Sequence, residues 1–113
     1  MVEKVTREEL ERLVARGEVT LVHALPEEYF RKEHIPGAVQ LDHERVDEQA
    51  PGRLPDRDAA IVTYCASLAC PNSGIAANRL VALGYTNVRE YAEGIADWSE
   101  AGLPVERGTA AAV

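Results

Sequence analysis

The segment from Ala59 to Leu83 restricts this chain most. Ala59-Ala60-Ile61-Val62-Thr63-Tyr64 is an apolar run broken only by Thr63, which predicts a central strand buried on both faces. A helix follows over Ser73 to Leu83, with Ile75, Ala76, Leu80 and Leu83 on one broad face and Gly84 as its stop. Between the two lies a turn of small and polar residues. A strand feeding a helix in this way is half of a βαβ unit, so the rest of the chain should supply parallel partners and helices to cover them.

The remaining segments fit that demand. Thr6-Arg7-Glu8-Glu9 is a capping box, and Leu10, Leu13 and Val14 follow at helical spacing until Gly17. Val19 to His23 is continuously apolar apart from Thr20 and predicts a second buried strand. Pro26-Glu27-Glu28 opens a helix, with proline in the first turn and carboxylates at its positive end, and Tyr29 and Phe30 are expected on its buried side. His34-Ile35-Pro36-Gly37-Ala38 reads as a turn, Ala38 to Leu41 as a short strand, Asp42 to Gln49 as a short helix, and Pro51-Gly52 with Pro55-Asp56 as a surface loop. Asn87 to Tyr91 predicts another strand and Glu93 to Glu100 a short helix whose Trp98, with Ile95, belongs to the core. The expected fold class is α/β, with a mostly parallel central sheet and helices on both faces. The 113 residues suit one domain over residues 1–107, with 108–113 as a loose tail.

Charge and composition narrow the partners. A net charge of −7 argues against nucleic acid and anionic membranes. It leaves room for a small anionic substrate, because oriented backbone dipoles dominate at short range. No apolar run approaches the ~20 residues of a membrane span, and the charged start Met1 to Glu9 lacks an apolar targeting core. A cytoplasmic location is expected. In a reducing compartment a cysteine pair is more often catalytic or metal-binding than structural, and a permanent disulfide is not expected.

Both cysteines of the chain, Cys65 and Cys70, fall in the turn "YCASLACPNS". In parallel sheets reactive groups gather beyond the carboxyl ends of the strands, where Cys65 sits. A thiol attacks only as thiolate, and its ordinary pKa is about 8.5. Residues 66 to 73 carry no charge, so any local activation must come from backbone N–H groups of the loop and of the helix start. Ala66, Ser67, Leu68, Ala69, Pro71, Asn72 and Ser73 are the candidate substrate-binding residues, the smaller of them allowing a tight wrap. Cys70 is read as a resolving or relay thiol, against the plainer reading of a small residue that fits the turn; exchange requires Cα atoms within about 7 Å.

These stretches, in this order, resemble the rhodanese-like sulfurtransferases. "EEYFRKEHIPGAVQL" (27–41), "IVTYC" (61–65) and "SGIAANRLVALGYTNVREYAEGIADW" (73–98) are similar to the family's HIPGA entry, its cysteine-bearing strand, and its helix, GY-x-NV turn and GI-x-x-W segment. The resemblance covers roughly residues 5 to 105. It implies that Cys65 accepts a sulfane sulfur as a persulfide and passes it to a thiophilic acceptor, either a thiol, free or on an acceptor protein, or cyanide. The donor it implies is small and anionic, thiosulfate or a persulfide, and it implies no cofactor.

This sequence departs from the family pattern in ways that remove positive charge. Cys70 stands where the family's arginine would be, and Asn72 precedes the matching Ser73. His23-Ala24-Leu25 replaces an Asp-Val-Arg-like run. Thiosulfate is therefore expected to be a poor donor beside an organic persulfide. Cys-x4-Cys places the chain nearest a subgroup with that loop. A phosphatase would need arginine six residues after its cysteine, and Pro71 stands there. A thioredoxin-type centre would need Cys-x-x-Cys. Zinc would draw on His23, His34 or His43, but a second cysteine pair is missing and no metal is expected. His23 is read as a satisfied polar residue at a strand end. A non-enzymatic sulfide- or redox-sensing or protein-binding module using Cys65 and Cys70 stays open as the alternative.

Overall fold

A computed structural model describes residues 2–108. In chain order the elements are β1 (Glu3–Lys4), α1 (Arg7–Ala15), β2 (Thr20–His23), α2 (Glu27–Lys32), β3 (Val39–Gln40), α3 (Val46–Arg53), β4 (Ile61–Tyr64), α4 (Asn72–Ala82), β5 (Val88–Tyr91) and α5 (Gly94–Glu100). The five strands form one parallel sheet in the order β1-β5-β4-β2-β3. β4 is the middle strand, as its apolar run requires. Thr20 to His23 pair in register with Ile61 to Tyr64, and these pair in turn with Val88 to Tyr91.

Side chains alternate across this sheet and build one core on each face. Val22, Ile61 and Val88 point to a cluster closed by Val46 and Ala50 of α3 and by Ala76, Ala77 and Leu80 of α4. Leu21, Val62, Tyr64 and Tyr91 point to the other, closed by Leu10 of α1, Phe30 of α2, and Ile95 and Trp98 of α5. Helices therefore lie on both faces, as expected.

The capping box of α1 forms as predicted. Thr6 Oγ1 accepts from Glu9 N at 3.1 Å, and Glu9 Oε1 accepts from Thr6 N at 3.1 Å. Three expectations fail. β1 is an additional strand: its two exposed residues pair with Arg89 and Glu90 through backbone alone, so no side-chain pattern marks it. The third helix runs over Val46–Arg53 instead of 42–49 and contains Pro51. Asp42 instead caps a turn, its Oδ1 accepting from Glu44 N and its O from Arg45 N. Val46, Ala50 and Leu54, four residues apart, are all buried, and that packing outweighs the proline's missing donor. Tyr29 and Ile75 face solvent, although both were assigned to buried faces. Of the expected tail 108–113, Gly108 donates its N–H to Arg31 O, and residues 109–113 lie outside the described residues.

Candidate active site

β4 delivers Cys65 to the carboxyl end of the sheet, where the chain leaves the ladder and turns sharply. Cys70 N donates to Ser67 O at 3.0 Å, and Ala69 N to Ser67 Oγ at 3.3 Å. This turn folds Cys70 back onto Cys65, with their Cα atoms 6.2 Å apart and their sulfurs bonded as a disulfide. The loop thus meets the condition for exchange between the two thiols, Cα atoms within about 7 Å. Cys65 is buried and Cys70 half-buried.

The candidate substrate-binding residues divide. Ala66, Ser67, Leu68, Ala69 and Pro71 wrap around the sulfur pair, with Leu68 exposed at the tip. Pro71 is the N-cap of α4, and no side chain caps that helix end; its first-turn amides are unclaimed by any capping group. Asn72 is the first residue of α4 and half-buried. Ser73 is not part of the loop's rim. It is buried, its Oγ donates to Glu90 Oε2 at 2.7 Å, and its backbone oxygen accepts from Thr63 Oγ1 at 2.9 Å. Its work is to seat α4 on β4 and β5.

A second helix end presses on the loop from the opposite side. Ile95 N donates to Cys65 O and Ala96 N to Ala66 O, both at 2.9 Å. Gly94 makes this contact possible. Its φ is +74°, and a Cβ there would lie 2.7 Å from Ala66 C, Cys65 O and Ser67 N. α5 is in turn held by Asp97, which accepts from Arg7 at 3.0 and 3.1 Å and from the Tyr91 hydroxyl. The Tyr91 and Arg7 hydrogen bonds hold the Asp97 carboxyl below its ordinary range. Glu93, just before Gly94, has its carboxyl pushed up by desolvation and by Asp97. No local pattern in the sequence marks Gly94 or Asp97 for the site, apart from the glycine of "EGIADW".

His23 is fully buried, edge-on to Phe30 and Tyr64, and neither ring nitrogen meets a hydrogen-bond partner among the described residues. The expectation of a satisfied His23 is therefore corrected. Desolvation, with some repulsion from His34, lowers its pKa to about 4, so it is neutral at pH 7. His34 stacks on Phe30, its Nδ1 2.8 Å from Phe30 O. His43 stands with Asp42 and Glu44, all three having ligand-type atoms within 4.8 Å of one another. A groove of about 510 Å³ beside them is lined by Glu44, Asp47, Ile75, Asn78 and Arg79 but by neither cysteine.

Chemically, then, the site offers a sulfur pair in a tight, uncharged loop that is held by the first amides of α5 and runs into the uncapped start of α4. The Rhodanese-like domain family model matches residues 6–101. The HTH-type transcriptional regulator Rv0324 of Mycobacterium tuberculosis is 36% identical over 92% of this chain and 45% of that protein, so the chain spans less than half of it. The thiosulfate sulfurtransferase PspE of Escherichia coli is 36% identical over 65% of this chain and 66% of that protein. Among solved structures, a thiosulfate sulfurtransferase from Pseudomonas aeruginosa superposes with a TM-score of 0.83 at 28% identity. It covers 95% of this chain and 20% of that one. The BH2092 protein of Bacillus halodurans gives 0.85 at 26% identity, over 93% and 77%.

Proposed function

The chain belongs to the rhodanese-like domain family, and on that premise we propose that it is a sulfurtransferase working through a persulfide on Cys65. The observation that carries this reading is the seat of Cys65. It ends the central strand and is held by Ile95 N on its own carbonyl, and the loop that follows it runs into the uncapped start of α4. Once the disulfide is reduced, the Cys65 thiolate attacks the outer sulfur of a donor and expels the rest as an anion. The loop amides stabilise first the thiolate and then the persulfide anion. A thiol, free or on an acceptor protein, or cyanide then takes the outer sulfur.

Among donors, an organic persulfide fits better than thiosulfate. Thiosulfate carries two negative charges, residues 66 to 73 hold no arginine or lysine, and Glu93 adjoins the loop. The location proposed is cytoplasmic, where thiols reduce the pair; among the described residues no helix is long and apolar enough to cross a membrane.

The test is Cys65→Ser. It should abolish transfer of sulfur from a persulfide or from thiosulfate to cyanide while leaving the circular dichroism spectrum unchanged; turnover retained by the folded variant would refute the assignment. A second reading has its own support in the bonded pair and in the likeness to a transcriptional regulator. In it the domain senses sulfide or redox state without turnover. The two separate on catalysis: a sensor is modified once, whereas a sulfurtransferase forms many equivalents of thiocyanate.

A further inference from the structure

The structure holds Cys65 and Cys70 already bonded, and transfer through Cys65 alone makes no use of that. We propose that this disulfide is an intermediate of a second activity of the same site: reduction of the sulfane sulfur to hydrosulfide, at the expense of thiols. The proposal rests on Cys65 accepting sulfur as described above.

The steps balance. Cys65 thiolate attacks the outer sulfur of R–S–SH, forming Cys65–S–SH and expelling R–S⁻. Cys70 thiolate then attacks the inner sulfur, Cys65 Sγ; the S–SH bond breaks and its electron pair leaves with HS⁻. The Sγ–Sγ bond forms, so the two cysteines lose two electrons and the sulfane sulfur gains them. A thiol R′SH restores the pair through a mixed disulfide that a second R′SH resolves. In sum, RSSH and two R′SH give RSH, H₂S and R′SSR′.

Geometry favours the inner sulfur over the outer one. The turn from Ser67 to Cys70 already places Cys70 Sγ at bonding distance from Cys65 Sγ, with Cα atoms 6.2 Å apart, well inside the span a disulfide tolerates. The outer sulfur of a persulfide lies one bond beyond Cys65 Sγ, so the contact that the loop already makes is with the inner sulfur. Geometry also sets the direction of recycling. Cys65 is 1% exposed, while Cys70 is half-buried in the loop's outer part. An incoming thiol meets Cys70 and expels Cys65 as the thiolate. Its leaving is helped by the same amides that activate it for the next donor, because a stabilised thiolate leaves faster.

The experiment uses the reduced protein under argon, one equivalent of glutathione persulfide, and no added thiol, with donor alone as the blank. Intact mass and a sulfide electrode are read together. Wild type should release about one equivalent of hydrosulfide above the blank and end about 2 Da lighter than its reduced form. Cys70→Ser should instead hold a Cys65 adduct about 32 Da heavier. That adduct should last at least ~100-fold longer than in wild type, since the internal attacker is gone. Should Cys70→Ser fail to fold, Cys70→Ala replaces it, and the wild-type mass is decisive by itself.

Two results overturn the proposal while sparing the sulfurtransferase reading. One is a wild-type persulfide as long-lived as the variant's with no disulfide formed; the other is sulfur found on Cys70. If neither protein gains sulfur on Cys65 nor makes thiocyanate from cyanide, the sulfurtransferase reading itself falls, and this activity with it.

Discussion

Gly94→Ala tests how the loop after Cys65 is held. The new Cβ would stand 2.7 Å from Ala66 C, Cys65 O and Ser67 N, where relaxed heavy-atom contacts lie near ~3.5–4.0 Å. All three are backbone atoms and none can rotate away. Relief requires moving α5 off the loop by about 0.8 Å, which stretches the bonds from Ile95 N to Cys65 O and from Ala96 N to Ala66 O. The positive φ adds about 1–2 kcal/mol for any residue with a Cβ. Overpacking adds about 1–3 kcal/mol, and weakening two hydrogen bonds about 0.5–1.5 kcal/mol each. A central value between about 5 and 6 kcal/mol is a large part of the ~5–15 kcal/mol that holds a domain together. It should lower Tm by roughly 20–30 °C. Gly102→Ala is the control. Gly102 has φ +78° but nothing within 4 Å of the added carbon, so it bears only the conformational part, about 1–2 kcal/mol. Thermal melts and urea titrations of the reduced proteins measure both. If the two variants lie within ~1 kcal/mol of each other, the loop yields to α5 and the reasoning is wrong. Persulfide loading of Cys65 should fall in Gly94→Ala and stay near wild type in Gly102→Ala.

Two other outcomes follow from the same structure. Asn72→Arg puts a guanidinium at the start of α4, and kcat/KM for thiosulfate should rise about tenfold through charge-assisted bonds to the donor; an unchanged kcat/KM in the folded variant would show that the side chain does not reach the sulfur site. For His23, the unfolded chain takes up a proton below about 6.5 while the folded protein resists until about 4. Stability should therefore fall by up to ~3 kcal/mol as pH drops through that window and change little from this group below it. His23→Leu, which removes two unpartnered nitrogens, should flatten that fall and be neutral or stabilising at pH 7. A wild-type-like pH slope in His23→Leu would assign the effect to another group.

Much of the architecture was legible because its causes are local or periodic. The capping box of Thr6 and Glu9 lies within one turn, and Val19 to His23 and Ala59 to Tyr64 declare their double burial by lacking polar alternation. The place of Cys65 follows from the strand that ends there. Where local signals misled, packing had decided otherwise. Pro51 reads as a breaker, yet Val46, Ala50 and Leu54 draw α3 past it into the core. Ile75 has a core residue's chemistry but sits on the solvent side of α4.

By itself the sequence determined the α/β alternation, the middle strand, the cysteine at that strand's carboxyl end and the lack of charge in the loop around it. All of these are written in residue types within a few positions of one another. Only the tertiary structure decided what holds that loop and whether the two sulfurs meet. The contact of residues 65–67 with 94–96 is backbone against backbone, and its sole trace in the sequence is the absence of a side chain at Gly94. β1 joins the sheet edge in the same way, with exposed side chains that carry no pattern. The bond between Cys65 and Cys70 depends on the turn at Ser67 closing in three dimensions, and a spacing of five residues alone does not say whether two sulfurs meet. At the end of its strand, His23 reads in the sequence as a satisfied polar residue. The packing of Phe30 and Tyr64 against its ring left both nitrogens without them, because the partners of a buried group are set by the elements that close over it.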